Sequence, residues 1–261
     1  MYQQSEVLNT LKELAVKAGE AIMEVYNTNF EVNYKEDASP LTIADRRANA
    51  IIVEQLKARY PQYAILSEEE KDDKKRMENE YCFIIDPLDG TKEFVKRNGE
   101  FTVNIALSYS GTSIAGVIYV PVTKDLYYAS EEEGAFKQDG TTGAVCKLQV
   151  SDKTTDLIWV GSKSHSSEKE AALIQEHQSS IGETISAGSS LKGCMVAEGK
   201  ADVYYRFGYT CEWDTAAMQC IVEQAGAIVN QMDGTPLTYN RENTLNDKGF
   251  YIVNRRENIW V

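Results

Sequence analysis

The sequence predicts an α/β protein with an α+β first half, and three observations carry that prediction. Two stretches near the N-terminus repeat apolar residues at helical spacing, the region from Phe101 to Phe136 is dense in β-branched and aromatic residues, and from Leu157 onward short apolar runs alternate with amphipathic ones. With 261 residues, 43% of them hydrophobic, the chain can build one large domain or two closely joined lobes.

Val7, Leu8, Leu11, Leu14, Ala15, Ala18, Ile22 and Val25 define a first helix. The stretch Asn33 to Asp37 reads as a short extended segment. A second helix starts at Thr42, which has capping-box spacing to Asp45; it buries Ala48, Ile51, Ile52 and Leu56 and stops at Tyr60-Pro61. Tyr63 to Leu66 and Cys82 to Ile85 are short apolar runs that read as buried strands. Between them, Lys71 to Glu80 is rich in charge and reads as exposed and mobile. Phe101 to Ser108, Ser113 to Val120 and Leu126 to Ala129 read as strands, punctuated by Ser110-Gly111 and Pro121. Glu131 to Phe136 looks like a further hairpin whose acids are solvated, and such local connections imply an antiparallel-rich sheet. Asp139 to Gly143 is a turn, so the expected organisation is an N-terminal α+β lobe over 1–150 and a C-terminal α/β lobe over 151–261. In the second half, strands are expected at Leu157–Val160, Glu183–Ser186, Ala201–Tyr205, Ala227–Val229 and Phe250–Val253. Helices are expected at Ser166–Gln178, Leu191–Glu198 and Thr215–Gln224.

A net charge of −13 argues against a nucleic-acid polymer or an anionic membrane as partner. It suits an anionic small molecule only where divalent cations reverse the local sign. The five cysteines, Cys82, Cys146, Cys194, Cys211 and Cys220, are odd in number and form no Cys-x-x-Cys, which reads as reduced thiols in a cytoplasmic protein without a zinc or redox motif. Met1-Tyr2-Gln3-Gln4 does not read as a signal peptide, and no stretch is long and apolar enough to span a bilayer. Peripheral association at the inner membrane and a homodimer are left open by the sequence.

The chemistry concentrates at Asp86-Pro87-Leu88-Asp89-Gly90-Thr91, directly after the strand Cys82 to Ile85. Pro87 holds Asp86 extended, and Gly90 permits a tight reversal, so two carboxylates leave the strand end together. Carboxylates that close repel unless a proton or cation lies between them, and oxygen donors without His or Cys suit Mg²⁺ or Mn²⁺. Ser67-Glu68-Glu69-Glu70 ends the other strand; if the two strands run the same way, Glu68 joins the pair, while Glu69 and Glu70 read equally well as a solvated loop. Asp214, in Trp213-Asp214-Thr215-Ala216-Ala217, has the character of a helix N-cap, and Asp45 taken alone reads as a structural cap.

Together these motifs resemble the inositol monophosphatase superfamily of Mg²⁺-dependent, lithium-sensitive phosphomonoesterases. Thr91-Lys92-Glu93-Phe94, where inositol monophosphatases usually carry Thr-x-Asn-Phe, is similar to its 3′(2′),5′-bisphosphate nucleotidase branch. So are Gly161-Ser162-Lys163-Ser164-His165, Gly188-Ser189-Ser190-Leu191-Lys192 and Ala201 to Arg206. The resemblance implies a layered α-β-α-β-α sandwich with the site between lobes. It implies one Mg²⁺ on Glu68, Asp86 and the Leu88 carbonyl, a second on Asp86, Asp89 and Asp214, and room for a third near Glu68. It implies that Thr91 passes a proton from the attacking water toward Asp45, and that Gly90 and Thr91 N–H groups face the phosphate. It further implies substrate contacts from Glu68, Leu88, Asp89, Gly90, Thr91, Ser164, His165, Ser189, Lys192, Arg206 and Asp214. Lys192 and Arg206 could meet a second phosphate or be, respectively, a solvated lysine and a surface ion pair; Lys92 reads as solvated, and Tyr204 and Tyr205 as packing. The implied reaction converts adenosine 3′,5′-bisphosphate to AMP and phosphate. The alternatives are an inositol or sugar-phosphate phosphatase on the same core, or a non-catalytic Mg²⁺- or nucleotide-binding protein.

Overall fold

A computed structural model describes residues 3–34, 40–72, 74–163 and 167–261. In chain order the elements are α1 (Gln4–Tyr26), β1 (Val32–Tyr34), β2 (Pro40–Thr42), α2 (Ile43–Arg59), β3 (Ala64–Ser67), β4 (Tyr81–Asp89), α3 (Thr91–Val95), β5 (Thr102–Tyr109), β6 (Thr112–Val120), β7 (Asp125–Ser130), β8 (Gly134–Gln138) and β9 (Val145–Lys147). There follow β10 (Leu157–Ser162), α4 (Glu168–Glu176), β11 (Ile181–Ala187), α5 (Leu191–Ala197), β12 (Val203–Arg206), β13 (Thr210–Cys211), α6 (Glu212–Gln224), β14 (Ile228–Gln231), β15 (Leu245–Asn246) and β16 (Phe250–Val253). The extended segment expected at Asn33 is β1; the part of it beyond Tyr34 lies outside the described residues.

Strands β3 to β9 form a seven-stranded sheet in sequence order. β3 runs parallel to β4, and every later pair is antiparallel. A sheet covered on both faces needs strands that are apolar throughout, and β4 obeys this. Its Phe83 and Ile85 face a core built with Leu11, Ala18 and Ile22 of α1 and Ala48 and Ile52 of α2. Its Cys82 and Ile84 face a second core with Cys194 and Val196 of α5 and Ala217 and Ile221 of α6. Beyond those helices lies a mixed five-stranded sheet of order β11-β10-β12-β16-β14. Val160, Tyr204, Phe250 and Ile252 point inward to the shared core, while Leu157, Trp159, Val203 and Tyr205 point outward beneath Leu173 of α4. The layers are therefore α1 and α2, first sheet, α5 and α6, second sheet, α4: the expected α-β-α-β-α sandwich.

Three local expectations need correction. β4 does not end at Ile85 but continues to Asp89 with a bulge, because Asp86 pairs with Asn104 and Asp89 with Thr102. The Lys71–Glu80 segment is not a free loop: it contains a short 3-10 turn over Lys75–Glu78, and the Arg76 side chain is 3% exposed, paired with Asp72. Asp214 is not the N-cap of α6; Cys211 is, and Asp214 sits at the third helical position.

β6 and α6 approach so closely that a Cβ on Gly116 would lie 2.7 Å from the Ala217 carbonyl oxygen and 3.0 Å from its Cα. Backbone cannot move aside as a side-chain tip can, so Gly116→Ala is expected to lower unfolding free energy by about 1–3 kcal/mol. Urea denaturation measures this, and wild-type stability in the variant would mean that helix and sheet separate without cost.

Candidate active site

The parallel pairing of β3 with β4 sets the site. Ser67 is in register with Ile85, and the Glu68 N–H donates to the Ile85 carbonyl at 3.1 Å, which delivers Glu68 beside Asp86. In a regular strand Asp86 and Asp89 would face opposite sides, being three residues apart. The bulge inserts one extra residue and turns both toward the same edge. The Leu88 N–H donates to Asp86 Oδ1 at 3.0 Å, closing the turn around Pro87. The N-terminal turn of α6 brings Asp214, whose Oδ2 accepts from the Cys211 N–H at 2.5 Å. Carboxylate oxygens of Asp86, Asp89 and Asp214 then all lie within 4.8 Å of one another.

Such a cluster is electrostatically costly. Burial, then the charges of Glu68, Asp89 and Asp214, push the Asp86 carboxyl well above the usual carboxylate range. Burial, then Asp89, raises Asp214 to about 8. Without a cation the protonated form of both groups is favoured; a bound cation favours the ionised, ligating form. The donors are all oxygens, with neither His nor Cys among them, so the cluster fits a hard divalent cation.

Asp89 is held rigidly. Its Oδ2 accepts from the Ser190 N–H and Oγ, both at 2.7 Å, from Asn104 Nδ2 at 3.1 Å and from Thr102 Oγ1 at 3.4 Å. Gly90, at φ +90°, lets the chain reverse into α3; a Cβ there would lie 3.2 Å from the Glu100 carbonyl oxygen and from Ser189 Cβ. Thr91 Oγ1 donates to Asp45 Oδ1 at 3.2 Å, while Asp45 Oδ2 accepts from the Thr42 N–H and Oγ1, both at 2.7 Å. Asp45 is thus cap and partner of Thr91 together. It is 2% exposed, and burial raises its carboxyl above the ordinary value against the pull of the Thr42 hydrogen bonds.

A cavity of about 320 Å³ opens over these groups. It is lined by Glu68, Asp86, Leu88, Asp89, Gly90, Thr91 and Asp214, and also by Ser162, Ser189, Lys192 and Arg206. Neither cation is a surface group: Lys192 is 6% and Arg206 9% exposed. Lys192 Nζ donates to the Ser189 carbonyl at 2.6 Å and lies 5.4 Å from the Tyr204 ring centroid; burial lowers its pKa. Lys92 is exposed at the rim, and Tyr204 both packs and lines the wall. Ser164 and His165 lie outside the described residues. Glu70 turns away, accepting from Asn49 Nδ2 at 2.7 Å.

Asn104 and Ser190 were not anticipated. A polar residue at position 104 in an otherwise apolar strand was the available signal for the first. For the second, the Gly188-to-Lys192 motif pointed to Ser189, but it is Ser190 that binds Asp89.

The inositol monophosphatase family model matches residues 3–258. A 3′(2′),5′-bisphosphate nucleotidase CysQ from Salmonella typhimurium is 42% identical over 253 residues, covering 95% of this chain and 99% of its own. Its Escherichia coli K12 counterpart is 42% identical over 251 residues, covering 94% and 99%. The crystal structure of CysQ from Bacteroides thetaiotaomicron superposes with TM-score 0.85 at 43% identity, covering 98% of this chain and 99% of that one. Among the described residues, no helix is long and apolar enough to cross a membrane.

The raised carboxyls make a prediction about pH. Asp214 binds its proton more tightly in the folded chain than in the unfolded one, from 3.8 up to about 8. The stability this contributes is full below pH 3.8 and is lost as pH rises through about 8. In chelator, the melting temperature is therefore expected to fall across that window. Mg²⁺ should cancel the fall, and Asp214→Asn should flatten it without Mg²⁺. A chelated wild-type profile identical to that of Asp214→Asn would show that Asp214 does not hold a proton in the folded state.

Proposed function

The chain belongs to the inositol monophosphatase family, and within it we propose that the protein is a Mg²⁺-dependent 3′(2′),5′-bisphosphate nucleotidase that hydrolyses adenosine 3′,5′-bisphosphate to AMP and phosphate. The observation that carries this is one cavity lined both by an acidic cluster and by two buried cations, Lys192 and Arg206. The cluster suits a cation-bound phosphoryl group, and the cations suit a second anion that is not hydrolysed.

Two or three Mg²⁺ ions, or Mn²⁺ in their place, would be held by Glu68, Asp86 and the Leu88 carbonyl, and by Asp86, Asp89 and Asp214. When bound, they supply Lewis acidity, neutralising phosphoryl oxygens and acidifying water near neutral pH. The chain's own work is positional and protonic. Asp89 is fixed by Ser190 and Asn104, so its carboxylate does not reorient during turnover. Thr91 accepts a proton from the attacking water at Oγ1 as it releases its own to Asp45 Oδ1, along the 3.2 Å hydrogen bond already present. Thr42 keeps Asp45 aligned by occupying its other oxygen. Gly90 and Thr91 N–H groups face the phosphate. Ser189, Lys192 and Arg206 receive the 5′-phosphate and ribose, and Ser164 and His165 belong to the same reading. In this assignment the residues to about 150 supply most of the cation ligands and those from 151 supply Asp214 and substrate selection. The cytoplasm is the expected compartment, in keeping with five free cysteines.

Phosphate release with Mg²⁺ from adenosine 3′,5′-bisphosphate and from inositol 1-phosphate tests the substrate. Strong nucleotide preference is expected, and preference for inositol phosphate would overturn the assignment while keeping the cation site. Thr91→Val is expected to lower kcat about 10²- to 10⁴-fold with little change in KM, and Thr91→Ser to retain most activity. Equal rates for Thr91→Val and wild type would remove Thr91 from the proton path.

A further inference from the structure

The segment Lys71–Glu80 connects the strand that carries Glu68 to the strand that carries Asp86, and it is fastened to the far side of the site. The Arg76 guanidinium grips Asp72 with two parallel hydrogen bonds, Nε to Oδ1 at 3.0 Å and Nη2 to Oδ2 at 2.9 Å. Its remaining donors reach the loop that follows Tyr239: Nη1 to Asn240 Oδ1 at 2.9 Å and Nη2 to the Arg241 carbonyl at 2.7 Å. Asn240 replies with its Nδ2, which donates to the Arg76 and Asn79 carbonyls at 3.1 and 3.0 Å. That loop is in turn bound to the first turn of α6. The N–H groups of Asn240 and Arg241 donate to the two oxygens of Glu212 at 2.6 and 2.9 Å, and Arg241 Nε lies 3.3 Å from Glu212 Oε1. Glu212 is fully buried and stands two residues before Asp214.

We propose that Arg76 and Asn240 form a brace that sets the separation of Glu68 from Asp214 across the candidate cation site. It rests on the reading of Glu68, Asp86, Asp89 and Asp214 as cation ligands. The reason for a brace is mechanical. Glu68 and Asp214 come from different elements, so a cation meets a formed site only where the β3 loop and α6 are held at one separation. A buried guanidinium that uses its planar fork on Asp72 and its remaining donors on the 240–241 loop joins the two sides whether or not a cation is bound, and a point charge does not reproduce that fork. On the opposite flank Asn49 does the same for the Glu68 loop, accepting from Ser67 Oγ and donating to Glu70, both at 2.7 Å. Arg76 touches no reacting group and none of the ligands; it is a positioning residue that acts through the 240–241 loop and Glu212. Loss of a direct partner of a metal ligand costs about 10- to 100-fold in affinity; Arg76 stands further out and is expected at the low end of that range.

The test is Mn²⁺ binding by isothermal titration, run beside Mn²⁺-dependent kinetics. Arg76→Met and Asn240→Gly are each expected to raise the Mn²⁺ dissociation constant about 10-fold or more, with kcat at saturating Mn²⁺ near the wild-type value. Glycine is chosen at 240 because the residue has φ +58°, so the side chain is removed without backbone strain. Asn240→Gly also leaves the Arg76–Asp72 pair intact and carries the test if Arg76→Met does not fold. Ile22→Ala, in the core between α1 and the first sheet, lowers stability far from the site and is expected to bind Mn²⁺ as wild type does. Unchanged Mn²⁺ affinity in folded Arg76→Met or Asn240→Gly would overturn the brace. So would an equal loss in Ile22→Ala, since the effect would then follow stability alone. Failure of wild type to bind Mn²⁺, or undiminished binding by Asp89→Asn, would instead overturn the cation-site reading beneath it.

Discussion

Mutual repulsion among clustered carboxylates, one buried and two half-buried, is the constraint around which this molecule is built. Two charges 4.8 Å apart, at an effective dielectric constant of about 20, repel by about 3 kcal/mol. Asp86, Asp89 and Asp214 make three such pairs, with Glu68 beside them. A fold that holds them together without a cation must either protonate them or restrain them. It does both: burial raises Asp86 and Asp214, while Asp89 is restrained by donors from Ser190 and Asn104. The acids are placed by three elements of the layered core: Glu68 by the end of β3, Asp86 and Asp89 by β4, and Asp214 by α6.

The bulge in β4 is the local device that makes the cluster geometrically available. A strand offers one face every second residue, so Asp86 and Asp89 cannot share an edge in regular pairing. Asp86 and Asp89 are three residues apart where their partners Asn104 and Thr102 are two apart, and the extra residue in β4 corrects the phase. Those two partners also supply hydrogen bonds to Asp89, so the strand that defines the register stabilises its product. The parallel β3–β4 pair contributes the second requirement, since only strands of the same polarity bring Glu68 and Asp86 out at one end.

Much of this was legible in the sequence because it rests on short-range rules. Apolar periodicity gave the helices, the Thr42–Asp45 spacing gave the cap of α2, and acids placed directly after apolar runs gave the cluster. What escaped depends on contacts between residues far apart in the chain. The Lys71–Glu80 segment looks solvated by composition, yet Arg76 is buried because its partners arrive more than 160 residues later. Lys192 could be read as a surface lysine, and only the convergence of α5 and β12 beneath Tyr204 buries it. The bulge is invisible in composition, since Pro87 announces a turn whether or not the strand resumes beyond it.

The cavity's charge pattern also bears on how one core distinguishes its phosphate esters. The acidic side needs a cation for any phosphorylated substrate, so it cannot discriminate between a nucleotide and an inositol phosphate. Under the proposed function, discrimination falls to Lys192 and Arg206, cations that are 6% and 9% exposed. Burial depresses Lys192 toward its neutral form, and an anion bound nearby would restore its charge. A substrate with a single phosphate, seated at the acidic cluster, offers no such anion to Lys192 and Arg206. In that reading a bisphosphate meets the acidic cluster and these two cations together, so the residues that receive the second phosphate select for substrates that carry it.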